Sequence, residues 1–305
     1  MGDARGASPV AYYTKLIDLH KIAAQTALIR RAILIAVTSA LFSESLAPLR
    51  ANPSTSAVLL DIDGTLAPIV EHAADASVPE TTRQLIIALS RRYSQIACIS
   101  GRRASEARAM VSVGTIAYLG SHGAEMLRSG WTEAQIDPAL TQWTPRIDEF
   151  RRESDTPELR RRRVRIEDKG PIIAYHWRGA VDEQDAREAV DAVASHAQEI
   201  GLEVHWGRKV MEVRPPVRID KGLGVRTLLG DGDRRFSAAL YVGDDSTDLD
   251  AFRALHDLVK EGVIDRAICV GVRSDDGPPA IEEEADVVVT GTEGVRELLA
   301  ALVAE

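Results

Sequence analysis

Short apolar runs alternate with amphipathic segments from residue 57 to the end of the chain, and this alternation restricts the fold more than any other feature. The apolar runs predict buried strands at residues 57–60, 96–99, 116–119, 239–242, 267–272 and 286–289. Helical patterns follow at residues 79–92, 104–112, 221–229, 247–258 and 294–303. Strands that are buried on both faces and alternate with helices indicate a parallel sheet with crossover helices. We therefore expect an α/β fold.

The middle of the chain, residues 122–213, departs from this pattern. It predicts a helix at 138–153, a half-covered strand at 172–177, a helix at 182–200 and a hairpin from 202–206 and 209–213. This order predicts an α+β domain inserted into the α/β core, which would comprise residues 54–121 and 214–305.

The first 53 residues predict a helical extension. Their apolar run at residues 32–42 is too short to span a bilayer, which needs about 20 residues. Arg30 and Arg31 precede that run as in a secretory leader, but leaders begin near the terminus. We expect the extension to pack on the body or on a second copy of the chain, and we expect no contact with a membrane.

Charge and cysteine content exclude several classes of protein. The 305 residues carry a formal net charge of −9, which argues against general nucleic-acid binding because that depends on many cations. Cys98 and Cys269 lie in apolar runs, so we expect buried thiols and a cytoplasmic location. An arginine-rich stretch at residues 146–165 is either a solvated surface or a positive field that attracts an anionic substrate.

Two carboxylates end the first predicted strand, in the string Asp61-Ile-Asp63-Gly64-Thr65. Side chains alternate along a strand, so both carboxylates can point the same way, and Gly64 permits a sharp turn. Such a pair could hold Mg²⁺, or one carboxylate could attack phosphorus while the other transfers protons.

Further polar groups follow other predicted strands. Asp244, Asp245 and Asp248 follow the strand at 239–242, and acidic strand ends that meet at one sheet edge favour a dication. Ser100 could donate a hydroxyl hydrogen bond to a phosphate beside a helix N-terminus. Lys221 could screen a phosphoryl group. Together they predict a phosphate pocket.

The ordered motifs DIDGT, SGR, DKG and GDDSTD resemble those of the haloacid dehalogenase superfamily from about residue 57 onward. Within it, GSHGAE, IEDKG, AYHWR and GRKVMEVRPP resemble the trehalose-6-phosphate phosphatase family. The resemblance implies a Rossmann-like core with a substrate-reading cap, Mg²⁺ as cofactor and a phosphorylated disaccharide as substrate. Leu249 stands where the family's fourth motif usually has an acid.

The resemblance also implies a role for each motif residue. Asp61 would be the nucleophile, Asp63 the acid and base, and Ser100 and Lys221 the phosphate contacts. Mg²⁺ would be held by Asp61, the carbonyl of Asp63 and Asp244, with Asp245 and Asp248 in support. The implied substrate contacts are Gly64, Thr65, Arg102, His122, Glu125, Glu167, Lys169 and Glu212.

Three functions remain open at this point. The first is release of trehalose and phosphate from trehalose 6-phosphate. The second is hydrolysis of another sugar phosphate, such as sucrose phosphate or a glucosyl-phosphoglycerate. The third is a non-catalytic sugar-phosphate sensor, for which a broken motif would be expected. The roles of His176 and Arg178 are open too, and we expect residues 120–123 to form the hinge into the cap.

Overall fold

The computed structural model describes residues 44–70, 75–207, 209–230, 235–275 and 277–304. The chain divides into two units, residues 1–47 and 48–305. The predicted N-terminal extension lies outside the described residues as far as residue 43, and residues 44–51 are helical. Within the described ranges, the structure contains no helix whose length and hydropathy would let it cross a bilayer.

The strands of the described residues form two β-sheets. These strands are β1 Ser56–Leu60, β2 Gln95–Ile99, β3 Ala117–Gly120, β4 Glu125–Leu127, β5 Gln135–Ile136, β6 Arg165–Asp168, β7 Ile173–His176, β8 Glu203–Gly207, β9 Val210–Arg214, β10 Ala238–Gly243, β11 Ala267–Arg273 and β12 Val287–Thr290. The larger sheet has the order β12-β11-β10-β1-β2-β3-β4-β5, and the smaller sheet has the order β6-β7-β9-β8. Strands β12 through β3 run parallel, whereas β4 and β5 are antiparallel.

The helices mostly follow the strands. They are α1 Glu80–Arg92, α2 Ala104–Val111, α3 Pro138–Thr141, α4 Thr144–Ser154, α5 Pro157–Arg161, α6 Glu183–Glu199, α7 Lys221–Gly230, α8 Asp248–Lys260, α9 Pro279–Glu284 and α10 Gly291–Val303. Strands β1 and β10 are buried along their whole length, as expected when helices cover both faces of a sheet. The predicted α/β fold with a mostly parallel sheet is confirmed, and the six strands predicted for it begin and end within one residue of their predicted positions.

The predicted continuous helix at residues 138–153 is wrong, because the structure has α3 and α4 there. A proline stands in the first turn of α4 and of α3. Proline lacks an amide hydrogen and suits a helix start, so Pro145 begins a new helix instead of continuing the old one. Helix α9 lies between the last two strands and was not predicted.

The smaller sheet carries helices on one face. Ile173, Tyr175, Met211 and Val213 of β7 and β9 are buried with α4, α5 and α6 in one apolar cluster. Because side chains alternate along a strand, the residues between them lie on the opposite face, where Ala174 and Glu212 are also buried. Strands β4 and β5 lie in the range predicted for the inserted domain, yet they pair with the larger sheet.

The arginine-rich stretch between residues 146 and 165 lies at the surface near the smaller sheet. Arg160 pairs with Asp155 at 2.7 Å, and Arg162 pairs with Asp185 at 2.8 Å. Arg151 lies 3.6 Å from Asp168. These ion pairs favour the interpretation of a solvated surface over that of a free positive field.

Strand β1 lies between β10 and β2 in the larger sheet, and all three run in the same direction. Their carboxyl ends therefore meet at one edge, where ligands bind in open α/β folds. The segments that leave this edge begin at Asp61, Ser100 and Asp244.

Candidate active site

Asp61 and Lys221 form a buried ion pair at this edge. Lys221 Nζ lies 2.7 Å from Asp61 Oδ1 and 2.6 Å from Asp248 Oδ1. Asp61 and Lys221 are each 3% exposed, and Asp248 is fully buried. Lys221, the first residue of α7, thus contacts Asp61, which directly follows β1. Its ammonium group bridges the carboxylates of Asp61 and Asp248.

Asp244 joins this group from the end of β10. Its Oδ1 accepts a hydrogen bond from Thr65 Oγ1 at 3.1 Å. Gly64 has a φ of +86°, and a Cβ atom there would lie 2.1 Å from Asp244 Oδ2. Glycine is therefore required at this position both for the turn and for the space that the carboxylate occupies. Thr65 and Gly64 thus position Asp244, and their contacts with substrate stay predictions.

Asp248 organises the loop that carries Asp244. Its Oδ2 accepts hydrogen bonds from the backbone N–H groups of Asp244 and Asp245, at 3.0 and 2.9 Å. Its Oδ1 accepts from Tyr241 Oη at 2.7 Å in addition to Lys221. Both oxygens are committed to the fold, so Asp248 positions the loop. Sequence reasoning missed Tyr241, whose signal was its place in the string YVGDD.

The carboxylates of this edge can hold a hard dication. Carboxylate oxygens of Asp61, Asp244 and Asp248 lie within 4.8 Å of one another, and those of Asp248 already accept hydrogen bonds. Asp245 is exposed, and its carboxylate lies 3.2 Å from Ser246 Oγ instead. Oxygen donors of this kind are those that Mg²⁺ prefers, so the donor set fits the expected cofactor.

Electrostatics support the same conclusion. Burial raises the pKa of Asp61, and the nearby Asp248 and Asp244 add to the rise while Lys221 opposes it. Burial also raises the pKa of Asp244 to about 6, again with a contribution from Asp248. Burial disfavours the charge on Lys221, but Asp248 and Asp61 raise its pKa above the ordinary value. The site therefore has an excess of buried negative charge, which a dication would neutralise.

Asp63 pairs with the segment that follows β2. Arg102 Nε and Nη2 donate to its two carboxylate oxygens at 2.7 and 2.6 Å, a bidentate pair. Ser100 is buried, and its Oγ accepts a hydrogen bond from the backbone N–H of Arg102 at 3.2 Å. Asp63, the predicted acid, and Ser100, the predicted phosphate contact, thus lie on adjacent turns that Arg102 links.

The predicted hinge is a tight turn with three successive left-handed residues. Ser121, His122 and Gly123 have φ values of 50°, 60° and 99°. Glu125 accepts a hydrogen bond from the backbone N–H of Ala104 at 2.8 Å and is 3% exposed. Its carboxylate caps the start of α2, which positions that helix, and its contact with substrate stays a prediction.

The face of the smaller sheet opposite its helices carries the remaining predicted residues. Pairing places Glu167 opposite Ala174, Ala174 opposite Glu212, and Glu212 opposite His205. These side chains form a row across four strands. We call this row the carboxylate row.

Contacts join the carboxylate row to the hinge. Lys169 Nζ lies 3.0 Å from Glu212 Oε1, and His122 Nε2 lies 3.9 Å from Glu212 Oε2. Ser121 Oγ donates to the carbonyl of Lys169 at 3.1 Å. The structure therefore brings the predicted sugar contacts beside the turn that leads from the larger sheet.

Charges in this region are closely balanced. Burial tends to raise the pKa of Glu212, but Lys169, His122 and Arg214 lower it to about 2. Burial lowers the pKa of His122 to about 3, against the effect of Glu212, so its imidazole is neutral near pH 7. Arg214, which sequence reasoning missed, lies two residues after Glu212 on the same strand and donates to it at 3.1 Å.

His176 contacts the other carboxylate of the row. Its Nε2 lies 2.6 Å from Glu167 Oε2, and this hydrogen bond lowers the pKa of Glu167. Arg178, by contrast, is exposed beyond the end of β7. His176 therefore orients a predicted sugar contact.

Comparisons with known proteins agree with this geometry. The family model for trehalose-phosphatase matches residues 59–278. Probable trehalose-phosphate phosphatase D of Arabidopsis thaliana is 30% identical over 209 residues, which are 65% of this chain and 56% of that protein. The trehalose-phosphate phosphatase of Mycobacterium marinum is 34% identical over 209 residues, 65% of this chain and 51% of that protein. The chain thus spans about half the length of these relatives.

Solved structures show the same fold. The C-terminal domain of a C. albicans trehalose-6-phosphate phosphatase aligns with a TM-score of 0.66 and 24% identity, covering 86% of this chain and 96% of that chain. A haloacid dehalogenase-like hydrolase from Bacteroides thetaiotaomicron aligns with a TM-score of 0.56 and 15% identity, covering 80% and 98%. At these identities the likeness concerns the fold.

Proposed function

Because this chain belongs to the trehalose-phosphatase family, we propose that it hydrolyses trehalose 6-phosphate to trehalose and phosphate. The observation that carries the proposal is the buried Asp61–Lys221 pair beside Asp244, close to the face of the smaller sheet that carries Glu167 and Glu212. The charged groups around Asp61 suit a phosphoryl centre, and the carboxylates of Glu167 and Glu212 suit the hydroxyl groups of a polyol. A phosphorylated sugar presents both.

Asp61 is the proposed nucleophile. Its carboxylate oxygen attacks phosphorus, the bond from phosphorus to the sugar oxygen breaks, and an aspartyl-phosphate forms. The Asp63 carboxyl gives its proton to the departing sugar oxygen, then takes a proton from the water that attacks the aspartyl-phosphate. That attack releases phosphate and restores Asp61.

Lys221 and Ser100 lie at the same sheet edge and bind the phosphoryl oxygens in this mechanism. Asp61, Asp244 and the backbone carbonyl of Asp63 would hold Mg²⁺, which supplies positive charge next to the phosphoryl group when bound. Phosphoryl transfer depends mainly on such positioning and charge stabilisation.

The smaller sheet acts in this proposal as the substrate-reading cap, inserted between residues 122 and 213. Glu167, Lys169 and Glu212 bind hydroxyl groups of the disaccharide, each of which both donates and accepts hydrogen bonds. Residues 120–123 form the hinge. Closure of the cap would exclude water until the aspartyl-phosphate has formed.

Phosphate release from a panel of sugar phosphates, with and without Mg²⁺, tests the proposal. We expect turnover of trehalose 6-phosphate to exceed that of sucrose phosphate and of a glucosyl-phosphoglycerate, and to require the metal. Asp61→Asn should abolish release, while Asp257→Asn on the exposed surface of α8 should not. Full activity of Asp61→Asn would contradict the mechanism, and faster turnover of another sugar phosphate would contradict the substrate.

The cap contacts need a separate measurement. Glu212→Gln and Lys169→Met should raise KM for trehalose 6-phosphate more than they lower kcat, because they remove binding to a non-reacting part of the substrate. Glu199→Gln is the matched control, since its side chain is 76% exposed on α6. An unchanged KM in both cap variants would refute their assignment to the sugar.

A further inference from the structure

A second group of potential metal ligands lies between α8 and the last two strands. His256 is on α8, Cys269 is in β11, and Asp286 directly precedes β12. Their ligand atoms lie within 4.8 Å of one another, and His256 Nε2 lies 3.8 Å from Cys269 Sγ. The group shares no residue with the carboxylate cluster at Asp61 and Asp244.

The spacing of these donors matches a small cation. Zinc binds thiolate at about 2.3 Å and imidazole at about 2.0 Å, so tetrahedral geometry separates the two donor atoms by about 3.5 Å. The observed 3.8 Å needs only a slight adjustment of the imidazole. Asp286 is already oriented, because its Oδ2 accepts a hydrogen bond from the backbone N–H of Cys269 at 2.7 Å. Hydrogen bonds of this kind fix the direction of metal ligands.

The chemistry of the donors selects the type of ion. A thiolate, an imidazole and a carboxylate suit zinc and similar borderline ions, whereas Mg²⁺ prefers oxygen alone. Burial raises the pKa of the Cys269 thiol, and Asp286 and Glu284 add to the rise. Binding would therefore release the thiol proton to solvent as the sulfur–metal bond forms.

The site is open on one side. Cys269 is fully buried, His256 is half-buried, and Asp286 is exposed. A cation could enter past the carboxylate and reach the sulfur last. Without a cation, the sulfur has two weak hydrogen-bond neighbours, His256 Nε2 and the carbonyl of Phe252 at 3.9 Å.

We propose that His256, Cys269 and Asp286 form a second cation site, which binds a zinc-type ion through sulfur, nitrogen and oxygen with solvent as the fourth ligand. The site is separate from the phosphatase chemistry. It joins α8 to β11 and β12 on the far side of β10 from β1.

Cobalt titration of the full, metal-free chain tests the proposal. Thiolate bound to Co²⁺ absorbs in the near ultraviolet, whereas the Asp61 and Asp244 carboxylates cannot produce that band. With excess Mg²⁺ present to occupy the Asp61 and Asp244 carboxylates, we expect a thiolate band with an equimolar endpoint that Zn²⁺ removes. Cys269→Ser should eliminate it, and His256→Gln should weaken Co²⁺ binding by about tenfold or more.

The second cysteine provides a matched control. Cys98 is also buried and lies close enough to Asp61 to feel its charge. Cys98→Ser should keep the band, and Asp286→Asn, which retains the acceptor for the Cys269 N–H, should weaken it without unfolding the chain. Absence of the band in the wild type, its survival in Cys269→Ser or its loss in Cys98→Ser would overturn the proposal. Unchanged circular dichroism and Mg²⁺-dependent phosphate release verify that each variant is folded.

Discussion

Replacement of Lys221 by methionine gives the most direct test of the buried charge balance. Lys221 is 3% exposed and bridges Asp61 at 2.7 Å and Asp248 at 2.6 Å. Methionine has a similar volume, so the substitution removes the charge and leaves the packing nearly intact. Two buried carboxylates would then lose their shared cation.

The size of the effect follows from what each carboxylate retains. Removal of one partner from a buried ion pair costs about 3–5 kcal/mol, because it leaves a charge buried without compensation. Asp248 retains Tyr241 Oη and two backbone N–H donors. Among the described residues, Lys221 is the side-chain hydrogen-bond partner of Asp61. When Lys221 is removed, the Asp61 carboxylate can be neutralised by taking up a proton. We therefore expect Lys221→Met to lower the free energy of unfolding by about 3–5 kcal/mol at pH 7.

The pH dependence has a definite sign. Burial raises the pKa of Asp61 in the folded state, and Lys221 opposes that rise. Without Lys221 the folded-state pKa is higher still, so protonation stabilises the folded variant as the pH falls through it. The stability difference between Lys221→Met and the wild type should therefore shrink between pH 7 and pH 5.

Urea unfolding of the chelator-treated protein measures this difference, provided that the m-value is unchanged. Lys260→Met is the matched control. Its side chain is 75% exposed and pairs with Asp257 at 2.9 Å, a contact worth about 0–1 kcal/mol. A cost below about 1 kcal/mol for Lys221→Met would refute the reasoning. So would a cost equal to that of the control, or one that grows as the pH falls.

Three further predictions concern neighbouring residues. Gly64→Ala should weaken Mg²⁺ binding and phosphate release by about tenfold or more, because its Cβ would displace Asp244. Gly130→Ala is the control, because Gly130 has a similar φ of +78° but no described residue lies within 4 Å of an added Cβ. It should lower the stability measured by thermal unfolding by only about 1–2 kcal/mol. Asp244 must ionise to bind the metal, so Mg²⁺ affinity measured by calorimetry should fall as the pH drops below 6. An affinity independent of pH would contradict this. Glu125→Gln weakens the cap on the Ala104 N–H and should lower the unfolding free energy by about 1 kcal/mol, with KM unchanged. A raised KM would instead support the predicted contact between Glu125 and the substrate.

The sequence predicted the positions of the six parallel strands of the larger sheet because apolar runs between helices have few alternative folds. It also predicted that Asp61, Ser100 and Asp244 meet, since parallel neighbours end at the same edge. These predictions depend on backbone direction and burial alone. Both properties follow from the local pattern of apolar residues.

The directions of side chains beyond the strand ends were not predictable in the same way. The pairing of Asp63 with Arg102, the loop contacts of Asp248 and the capping by Glu125 each depend on a turn conformation. A carboxylate in a motif string can bind a ligand or satisfy a backbone N–H, and the string does not distinguish the two. The break before α4 was visible as Pro145, but the apolar spacing favoured one continuous helix.

The carboxylate row also has a consequence for the size of the substrate. Glu167 and Glu212 lie on strands separated by β7, with Ala174 between them. Adjacent strands are about 4.8 Å apart, so the two backbone positions are about 10 Å apart, a distance wider than one sugar ring. Backbone hydrogen bonds fix this distance, and no change of rotamer can halve it. The strands of the smaller sheet therefore hold the backbone positions of Glu167 and Glu212 at a fixed spacing, with Ala174 between them.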